Sequence, residues 1–269
     1  MARRARVDVE LVRRGLARSR QQAAELIGAG RVSINGMPAA KPATAVAVTA
    51  SLTVQGDGEH NWVSRGAHKL IGALDTFGLT VQRRRCLDAG ASTGGFTEVL
   101  LDRGAREVVA VDVGYGQLAW PLRSDARVSV IERTNVRDLS SDTIGGAVDI
   151  IVADLSFISL TTVLPALIGC AAPDADIVPM VKPQFEVGRD QVGTGGVVHD
   201  PALRAGAVLG VARRAEQLGW HTVDVTASPL PGPSGNVEYF LWLRAQTDRR
   251  LAGASLETAV RRAVDEGPQ

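Results

Sequence analysis

Apolar runs of strand length alternate with helical patterns between residues 67 and 243. The strand-like runs cover residues 86–88, 108–112, 128–132, 148–154, 177–182, 221–227 and 237–243. The helical patterns cover residues 67–77, 97–103, 160–170 and 201–218. The last of these begins with an N-cap and a proline at the first position, Asp200-Pro201. This alternation predicts an α/β fold on a doubly wound, mostly parallel sheet, whose last strand can run antiparallel.

The N-terminal part of the chain follows another pattern. Apolar positions at helical spacing predict a short helix over residues 7–14, and Ser19 is a suitable N-cap for a second helix. Asn35-Gly36 indicates a two-residue hairpin turn. Extended segments are predicted at residues 31–34, 46–48 and 52–54. These elements predict a small α+β domain over residues 1–58.

The domain boundaries follow from composition. Residues 55–61 are polar and contain two glycines, which favours an interdomain linker at residues 59–66. The α/β domain is then expected over residues 67–246, and residues 247–269 form an Arg-, Ala- and Glu-rich tail with a short helix. Trp62 either packs at a domain interface or stacks on a base, and the sequence leaves both open.

Length and charge also indicate two parts. The 269 residues suffice for one domain of about 200 residues and a smaller one. The net charge is +1, but residues 1–55 carry nine Lys and Arg against three acids, or +6, and the remainder carries 21 against 26, or −5. This asymmetry predicts that the N-terminal domain binds a polyanion.

Several classes of protein are disfavoured. Cys86 and Cys170 lie in apolar runs without metal-ligand spacing, so we expect buried free thiols and no metal site. No apolar run approaches the roughly 18 residues of a membrane span, and no signal-peptide core follows the basic N-terminus. These features predict a cytoplasmic protein without a membrane partner.

Residues 88–96, Asp-Ala-Gly-Ala-Ser-Thr-Gly-Gly-Phe, connect a predicted strand to a predicted helix. Glycines let a backbone approach a ligand closely, and the helix N-terminus behind them can face a carboxylate. The dinucleotide fingerprint Gly-x-Gly-x-x-Gly is absent, because Ala91 follows Gly90 and three residues separate Gly90 from Gly94. A pyrophosphate site is therefore disfavoured.

Asp112 ends the next predicted strand. In open α/β sheets an acid at this position hydrogen-bonds ribose hydroxyls. A ligand with an adenosine, an amino-acid end and no pyrophosphate matches S-adenosylmethionine. We therefore expect S-adenosylmethionine as the cofactor.

Two charged residues, Asp154 and Lys182, end neighbouring predicted strands, where chemistry gathers in parallel sheets. Methyl transfer from a sulfonium needs a nucleophile that is held in line and relieved of its proton. A lysine can accept or steer that proton, and an acid can hold the lysine in place. Lys69 lies near the first turn of a predicted helix, where a cation opposes the macrodipole, so it is either simply solvated or kept for a purpose.

The N-terminal domain resembles an S4 RNA-binding domain. The resemblance rests on two predicted helices with arginines on or beside them and on residues 30–36, Gly-Arg-Val-Ser-Ile-Asn-Gly, which match the characteristic turn of that family. S4 domains place such helices on structured RNA, where phosphate contacts give affinity.

The second domain resembles the FtsJ/RrmJ-type ribose 2′-O-methyltransferases. Lys69, Asp154, Lys182 and Glu238 match the Lys-Asp-Lys-Glu tetrad of that family in residue type and order. With the S4-like domain ahead of it, the chain is similar to the TlyA family of rRNA 2′-O-methyltransferases over residues 1–245. The resemblance implies a Rossmann-like class I methyltransferase fold and methylation of cytidine in 16S and 23S rRNA within ribosomal subunits. We expect a monomer that binds this rRNA and no DNA.

The family pattern also implies roles for single residues. Lys182 would be the base or proton acceptor, Asp154 and Glu238 would orient the lysines, and Lys69 would lie near the ribose. The implied cofactor-binding residues are Asp88, Gly90, Ser92, Gly94, Gly95, Phe96, Asp112, Asn135 and Asp154.

Two of these cofactor assignments carry a qualification. Asn135 stands where relatives have an acid, and its amide can still donate to and accept from adenine. Asp88 either contacts the methionine ammonium or only braces the glycine turn.

The RNA-binding assignments combine both domains. Residues 186–196 form a long glycine-rich connection, which favours a substrate-gripping loop with Arg189 near phosphate, and residues 229–236 would flank the same pocket. The predicted RNA-binding residues are Arg3, Arg4, Arg6, Arg18, Arg20, Arg31, Arg65 and Arg189.

Three other functions are weighed against the methyltransferase. An S4-bearing pseudouridine synthase would need a different catalytic-aspartate setting and would not need the glycine turn with Asp112. A non-catalytic RNA-binding or ribosome-assembly factor would bind RNA without the tetrad. Members of the TlyA family have also been labelled haemolysins, but an apolar span or strongly amphipathic apolar helix is absent from the sequence pattern.

Overall fold

The computed structural model describes residues 4–17, 19–47, 49–54 and 62–268. Its contacts divide the chain into two compact units, residues 1–62 and 63–269. The predicted RNA-binding residues Arg3 and Arg18, residues 59–61 of the predicted linker and the side chain of Arg189 lie outside the described part of the chain.

The described residues of the first unit form two helices and five short strands. In chain order these are β1 (Arg4–Arg6), α1 (Val7–Arg13), α2 (Arg20–Gly28), β2 (Val32–Ile34), β3 (Met37–Pro38), β4 (Ala45–Ala47) and β5 (Leu52–Val54). Strand β2 pairs with β3 and β5, and β1 pairs with β4, all antiparallel. The helices pack their apolar positions, including Val7, Leu11 and Ile27, against Val32 and Leu52 of the strands.

Two local signals act in the first unit as predicted. The Oγ of Ser19 accepts a hydrogen bond of 3.2 Å from the backbone N–H of Gln22 and so caps α2. Asn35 and Gly36 both have positive φ, 50° and 80°, and connect β2 to β3. The unit is therefore the predicted α+β domain.

The second unit contains one large sheet covered by helices. Its strands are β6 (Arg85–Ala89), β7 (Glu107–Val111), β8 (Val128–Ile131), β9 (Val148–Ala153), β10 (Ala171–Val181), β11 (His221–Ala227) and β12 (Tyr239–Arg244). Its helices are α3 (Gly66–Phe77), α4 (Gly95–Asp102), α5 (Trp120–Arg123), α6 (Leu160–Gly169), α7 (Pro183–Glu186), α8 (Pro201–Gln217) and α9 (Gly253–Glu266).

The seven-stranded sheet has the order β11-β12-β10-β9-β6-β7-β8. The pairs from β10 to β8 are parallel, and β12 is antiparallel to both β10 and β11. Alternate strand residues, among them Leu87, Val109 and Ile151, form an apolar core with helices α6, α8 and α9. Helices α3 and α4 contact β6, β7 and β11. The predicted doubly wound α/β fold with an antiparallel last strand is confirmed.

The chain reverses its direction of travel across the sheet between β6 and β9. From β6 it proceeds to β7 and β8 on one side, and then returns to β9 and β10 on the other. Ligands in open α/β sheets bind at this switch point, beyond the carboxyl ends of the strands. The residues after β6 and β9 are therefore the first place to look for a site.

Two elements are much longer than predicted. Strand β10 begins at Ala171, six residues before the predicted start, because a register shift between Ala171 and Asp176 lets it continue its pairing with β9. Helix α9 spans 14 residues and buries Leu256, Val260 and Val264 in the core, whereas only a short helix is expected there from composition. It belongs to the second unit, beyond residue 246.

The described cysteines behave as expected. Cys86 and Cys170 are buried free thiols. Burial raises the pKa of Cys86 to about 12 and that of Cys170 to about 11, which leaves both as inert thiols. Among the residues that the structure describes, no helix combines the length and the apolarity needed to cross a membrane.

Candidate active site

The glycine turn lies at the switch point, between β6 and α4. Gly90 has a φ of 88°, and a Cβ there would lie 2.5 Å from the carbonyl oxygen of Asp154. Gly94 has a φ of 101°, and a Cβ there would collide with Leu118 and Leu122. Both positions therefore require glycine, for conformation and for space. The turn is held against the end of β9, and its backbone faces an open cavity.

The cavity beside this turn has a volume of about 330 Å³. Its walls include residues of the turn, the ends of β9 and β10, the start of α3 and the loop before β12. Among them are Arg65, Lys69, Gly90, Ser92, Gly95, Phe96, Asp154, Ser156 and Lys182. Three members of the predicted tetrad thus line the same space as the predicted cofactor turn.

The tetrad forms two ion pairs. Lys182 Nζ lies 2.6 Å from Asp154 Oδ1 and donates a hydrogen bond of 3.0 Å to Ser156 Oγ. Lys69 Nζ lies 2.5 Å from Glu238 Oε2. Both lysines are nearly buried, with 9% and 7% of their surface exposed, and Glu238 is 1% exposed. Each buried ammonium is therefore compensated by a carboxylate, as a cation in this environment requires.

Asp88 lies beneath the glycine turn and is fully buried. Its Oδ2 accepts a hydrogen bond of 2.7 Å from Thr97 Oγ1 at the start of α4, and among the described residues its Oδ1 has no hydrogen-bond donor. Burial raises the pKa of this carboxyl to about 7, against the opposing effect of the Thr97 hydrogen bond. Asp88 is not among the residues that line the cavity.

Asp112 lines a narrow cleft that shares Ala91 and Ser92 with the cavity. Its Oδ2 accepts from the backbone N–H of Ser92 at 2.8 Å, and its Oδ1 accepts from that of Gly114 at 2.7 Å. These bonds fix the carboxylate at the end of β7. The cleft also contains Glu132, which forms an ion pair with Arg123.

Asn135 has a different environment. It is not among the residues that line the cavity or the cleft. Its Oδ1 accepts a hydrogen bond of 3.1 Å from the backbone N–H of Arg137 and caps a 3₁₀ turn. Asn favours such capping positions because its short side chain reaches the following N–H groups. The structure therefore places Asp112 in the cleft beside the cavity, whereas Asn135 lies outside the residues that line either space.

Three residues near the catalytic pairs are missing from the sequence analysis. Ser156 holds Lys182. Glu186 of α7 accepts hydrogen bonds from Ser159 Oγ at 2.6 Å and from the backbone N–H of Leu160 at 2.7 Å. Phe157 has a φ of 63° and is 92% exposed, with its ring 5.2 Å from that of Phe185. For Ser156 and Phe157, the signal in the sequence was the polar and aromatic run that follows Asp154, whereas Glu186 begins the glycine-rich connection of residues 186–196.

The predicted RNA-binding arginines are distributed over both units. Arg65 is exposed at the cavity wall of the second unit. Arg4, Arg6, Arg20 and Arg31 belong to the first unit. Arg6 and Arg20 converge there on one buried carboxylate, Asp8.

Comparison with known proteins agrees with this architecture. A family model described as FtsJ-like methyltransferase matches residues 62–245, and an S4 domain model matches residues 5–50. The 16S/23S rRNA (cytidine-2′-O)-methyltransferase TlyA of Mycobacterium tuberculosis is 75% identical over the full length of both chains. YqxC of Bacillus subtilis, named as an rRNA methyltransferase, is 40% identical over 98% of this chain and 94% of its own.

A solved structure also covers both units. A protein from Streptococcus thermophilus, described as a hemolysin, is 36% identical and has a TM-score of 0.79 over 99% of this chain and 98% of its own. Full-length similarity at this level, together with the two domain matches, shows the family. The chain belongs to the FtsJ-like methyltransferase family and, within it, to the TlyA group, with an S4 domain ahead of the methyltransferase domain.

Proposed function

We propose that the protein is an S-adenosylmethionine-dependent enzyme that methylates the 2′-hydroxyl of cytidine in 16S and 23S rRNA within ribosomal subunits. The observation that carries this proposal is the position of Lys69 and Lys182, each with its own carboxylate, on the wall of the cavity that the glycine turn also lines. The rRNA and the cytidine come from the activity named for the Mycobacterium tuberculosis relative.

The residues around the turn fit S-adenosylmethionine. Gly90 keeps the floor of the cavity free of side chains. Asp112 is held at the cleft, where it would bind ribose hydroxyls, and the apolar Leu118 and Val130 beside it would contact adenine. Asp88 would brace the turn through Thr97, because it is buried behind the wall. When bound, the cofactor supplies a methyl group activated by a sulfonium.

The chain's own residues then position the ribose oxygen. Lys182 Nζ, fixed by Asp154 and Ser156, would contact the 2′-oxygen and hold it in line. As this oxygen takes the methyl group that a bound cofactor would supply, its hydroxyl proton would pass to the Lys182–Asp154 pair, in which the carboxylate of Asp154 can accept it. The Asp154 side chain is 27% exposed, so the proton can leave to water. Lys69, fixed by Glu238, supplies a second cation near the ribose.

Features around the cavity support an RNA substrate. Arg65 can bind a phosphate at the cavity wall. The exposed ring of Phe157, backed by Phe185, follows Ser156 and suits stacking on an unpaired base. The arginines of the S4 unit supply further phosphate contacts.

All of these residues come from one chain, and we propose a monomer that acts in the cytoplasm, where ribosomal subunits are found.

The test is methylation of purified ribosomal subunits with radiolabelled S-adenosylmethionine, followed by mapping of the modified nucleotides. We expect label on ribose 2′-oxygens of cytidine, and we expect Lys182→Ala to lower the rate by at least about 100-fold, because general acid–base and positioning effects of this kind contribute roughly 10²–10⁴-fold. Cofactor binding by this variant, measured by calorimetry, should change little.

Two results would count against the proposal in different ways. Label on a base atom would exclude ribose methylation while leaving the methyltransferase intact. Wild-type protein that binds rRNA but transfers no label would leave only the role of an RNA-binding factor, and full activity of Lys182→Ala would exclude Lys182 from the chemical step. The matched control is Lys41→Ala, which removes an exposed lysine of the first unit and should leave the chemical step unchanged.

A further inference from the structure

Two buried acids of the S4 unit each hold two arginines. Asp8 accepts from Arg6 Nε at 3.0 Å and Nη2 at 2.9 Å, and from Arg20 Nη2 at 3.0 Å. Glu10 accepts from Arg13 Nε at 2.8 Å and Nη2 at 2.5 Å, and from Arg14 Nε at 2.8 Å. Asp8 is 3% exposed and Glu10 is 1% exposed.

The two acids flank the apolar stripe of α1. Successive residues of a helix are about 100° apart, so Asp8 and Glu10 lie on opposite sides of the buried Val7 and Leu11. Each acid is therefore at the border between core and surface. Its arginines extend outward, and the side chains of Arg6, Arg13 and Arg20 are 49%, 60% and 60% exposed.

The guanidinium groups keep hydrogen-bonding capacity after these contacts. In Arg6, Arg13 and Arg20 the bonds to the acids use Nε and Nη2, and no acceptor among the described residues contacts Nη1. Each acid with its two arginines carries a net charge of +1. Each group thus presents oriented donors and a positive charge to solvent, which are the requirements of a phosphate site.

The acids also remain charged under all physiological conditions. The hydrogen bond from Arg6 holds the pKa of Asp8 at about 2, and that from Arg13 holds the pKa of Glu10 at about 2. Protonation therefore does not release the arginines at neutral pH.

We infer that Asp8 and Glu10 are positioning residues for rRNA binding. Asp8 fixes Arg6 and Arg20, and Glu10 fixes Arg13, in an orientation in which their guanidiniums donate to an RNA phosphate. This inference rests on the proposed rRNA substrate. Arginine side chains lose considerable conformational entropy when they bind, and guanidiniums that are already ordered lose less. Without the acids, the four arginines would also repel one another.

The decisive experiment uses the sign of the change in affinity. Asp8→Asn removes a negative charge from a basic surface, so charge alone predicts tighter binding to RNA. Positioning predicts weaker binding, because Arg6 and Arg20 become disordered. We expect the Kd of the full chain for purified large ribosomal subunits to rise about fivefold, with a shallower dependence on salt by about one phosphate contact.

The matched control is Glu25→Gln. Glu25 is an exposed acid on α2 of the same unit, where it accepts from Gln21, and its removal changes the charge equally. The Kd of Glu25→Gln for ribosomal subunits should be unchanged or slightly lower than that of the wild-type protein. Equal or tighter binding by Asp8→Asn would overturn the inference.

A second background separates positioning from folding. In the double variant Arg6→Gln/Arg20→Gln, adding Asp8→Asn should change the Kd less than about twofold, because no arginine remains for Asp8 to orient. A further loss in this background would mean that Asp8 acts on the fold instead. If Asp8→Asn does not fold, Arg6→Lys provides the test. This variant keeps the positive charge but lacks the planar guanidinium that binds two oxygens at once. If it bound ribosomal subunits as tightly as the wild-type protein does, the inference would be rejected.

Failure of the proposed function would look different. Wild-type protein that does not bind ribosomal subunits would reject the rRNA substrate itself. Wild-type protein that binds and methylates, with Asp8→Asn equal to it in affinity, would reject only the positioning role.

Discussion

Two buried ion pairs and one buried acid define the site at the scale of single residues. In the pairs Lys182–Asp154 and Lys69–Glu238, each nearly buried lysine lies beside a carboxylate that compensates its charge. Asp88 is in the opposite situation, because burial without a cation favours its neutral form. Asp88 thus differs from Asp154 and Glu238 in that no lysine among the described residues lies beside it.

The pKa of Asp88 predicts a dependence of stability on pH. A folded-state pKa of about 7 lies above the value of about 4 in the unfolded chain, so folding takes up a proton between these two values. Below pH 4, Asp88 is neutral in both the folded and the unfolded protein, and its burial carries no cost of neutralisation. Between pH 4 and pH 7, this residue lowers the unfolding free energy by an amount that grows with pH. We expect the unfolding free energy of Asp88→Asn, relative to wild type, to increase from pH 4 to pH 7 and then to level off.

Denaturant unfolding of both proteins at pH 4, 5.5, 7 and 8 measures this difference, since other groups contribute equally to both. Each unit of pKa difference corresponds to about 1.4 kcal/mol. A difference between variant and wild type that stays constant across these pH values would mean that Asp88 is ionised in the folded protein throughout.

At the scale of elements, Glu186 joins the two connections that carry the catalytic pair. It lies on α7, directly after β10 and Lys182, and its carboxylate binds Ser159 and Leu160 at the start of α6, after β9 and Asp154. The rings of Phe157 and Phe185 make a second contact between the same two segments. These contacts fix the distance between the segments that follow β9 and β10, where backbone hydrogen bonds no longer join the two strands.

Glu186→Ala should therefore affect catalysis through geometry. The variant loses both hydrogen bonds, including the one that satisfies the N–H of Leu160, at a cost of about 1–2 kcal/mol in stability. We expect a lower kcat for rRNA methylation with nearly unchanged cofactor affinity, and partial recovery in Glu186→Gln, which retains one acceptor. Rate assays and calorimetry measure the two quantities.

Glu216→Ala is a suitable control for this experiment, because it removes a surface acid of α8 that pairs only with the exposed Arg250. A wild-type kcat for Glu186→Ala would show that the two segments hold their positions without the carboxylate.

At the scale of the whole molecule, charge and chemistry reside in different units. Residues 1–55 carry a net charge of +6, and the rest of the chain carries −5. The cavity and the catalytic pairs belong entirely to the second unit. We therefore expect RNA affinity and cofactor affinity to respond to different substitutions.

The full chain with Arg4, Arg6 and Arg20 changed to Gln tests this division. Each lost phosphate contact reduces affinity and lowers the salt dependence, so binding to ribosomal subunits should weaken by at least about tenfold at moderate salt. Affinity for S-adenosylmethionine should be unchanged. The control with Arg213, Arg261 and Arg262 changed to Gln removes the same charge from the exposed surface of α8 and α9.

If both sets of substitutions weakened binding to ribosomal subunits equally, net charge alone would govern this binding. The assignment of RNA affinity to the first unit would then be wrong. Weaker cofactor binding by the first set would instead show that the S4 unit contributes to the methyltransferase site.

The sequence by itself determined the fold class, the S4-like unit, the glycine turn and the order of the tetrad. These features depend on short windows: the alternation of strand and helix patterns, the caps at Ser19 and Asp200, and the Asn35-Gly36 turn all act between residues a few positions apart. The position of Asn135 was inferred from a family pattern, and its contact with adenine stays a prediction, while the structure shows that its side chain caps the following 3₁₀ turn.

Only the tertiary structure decided which side chains meet. Lys69 and Glu238 are 169 residues apart in the chain, and the antiparallel insertion of β12 beside β10 brings them into contact. The convergence of Arg6 and Arg20 on Asp8, the burial that shifts the pKa of Asp88 and the link through Glu186 likewise depend on packing between separate elements. Periodicity specifies each element, but burial and the distances between charges exist only once the elements have packed together.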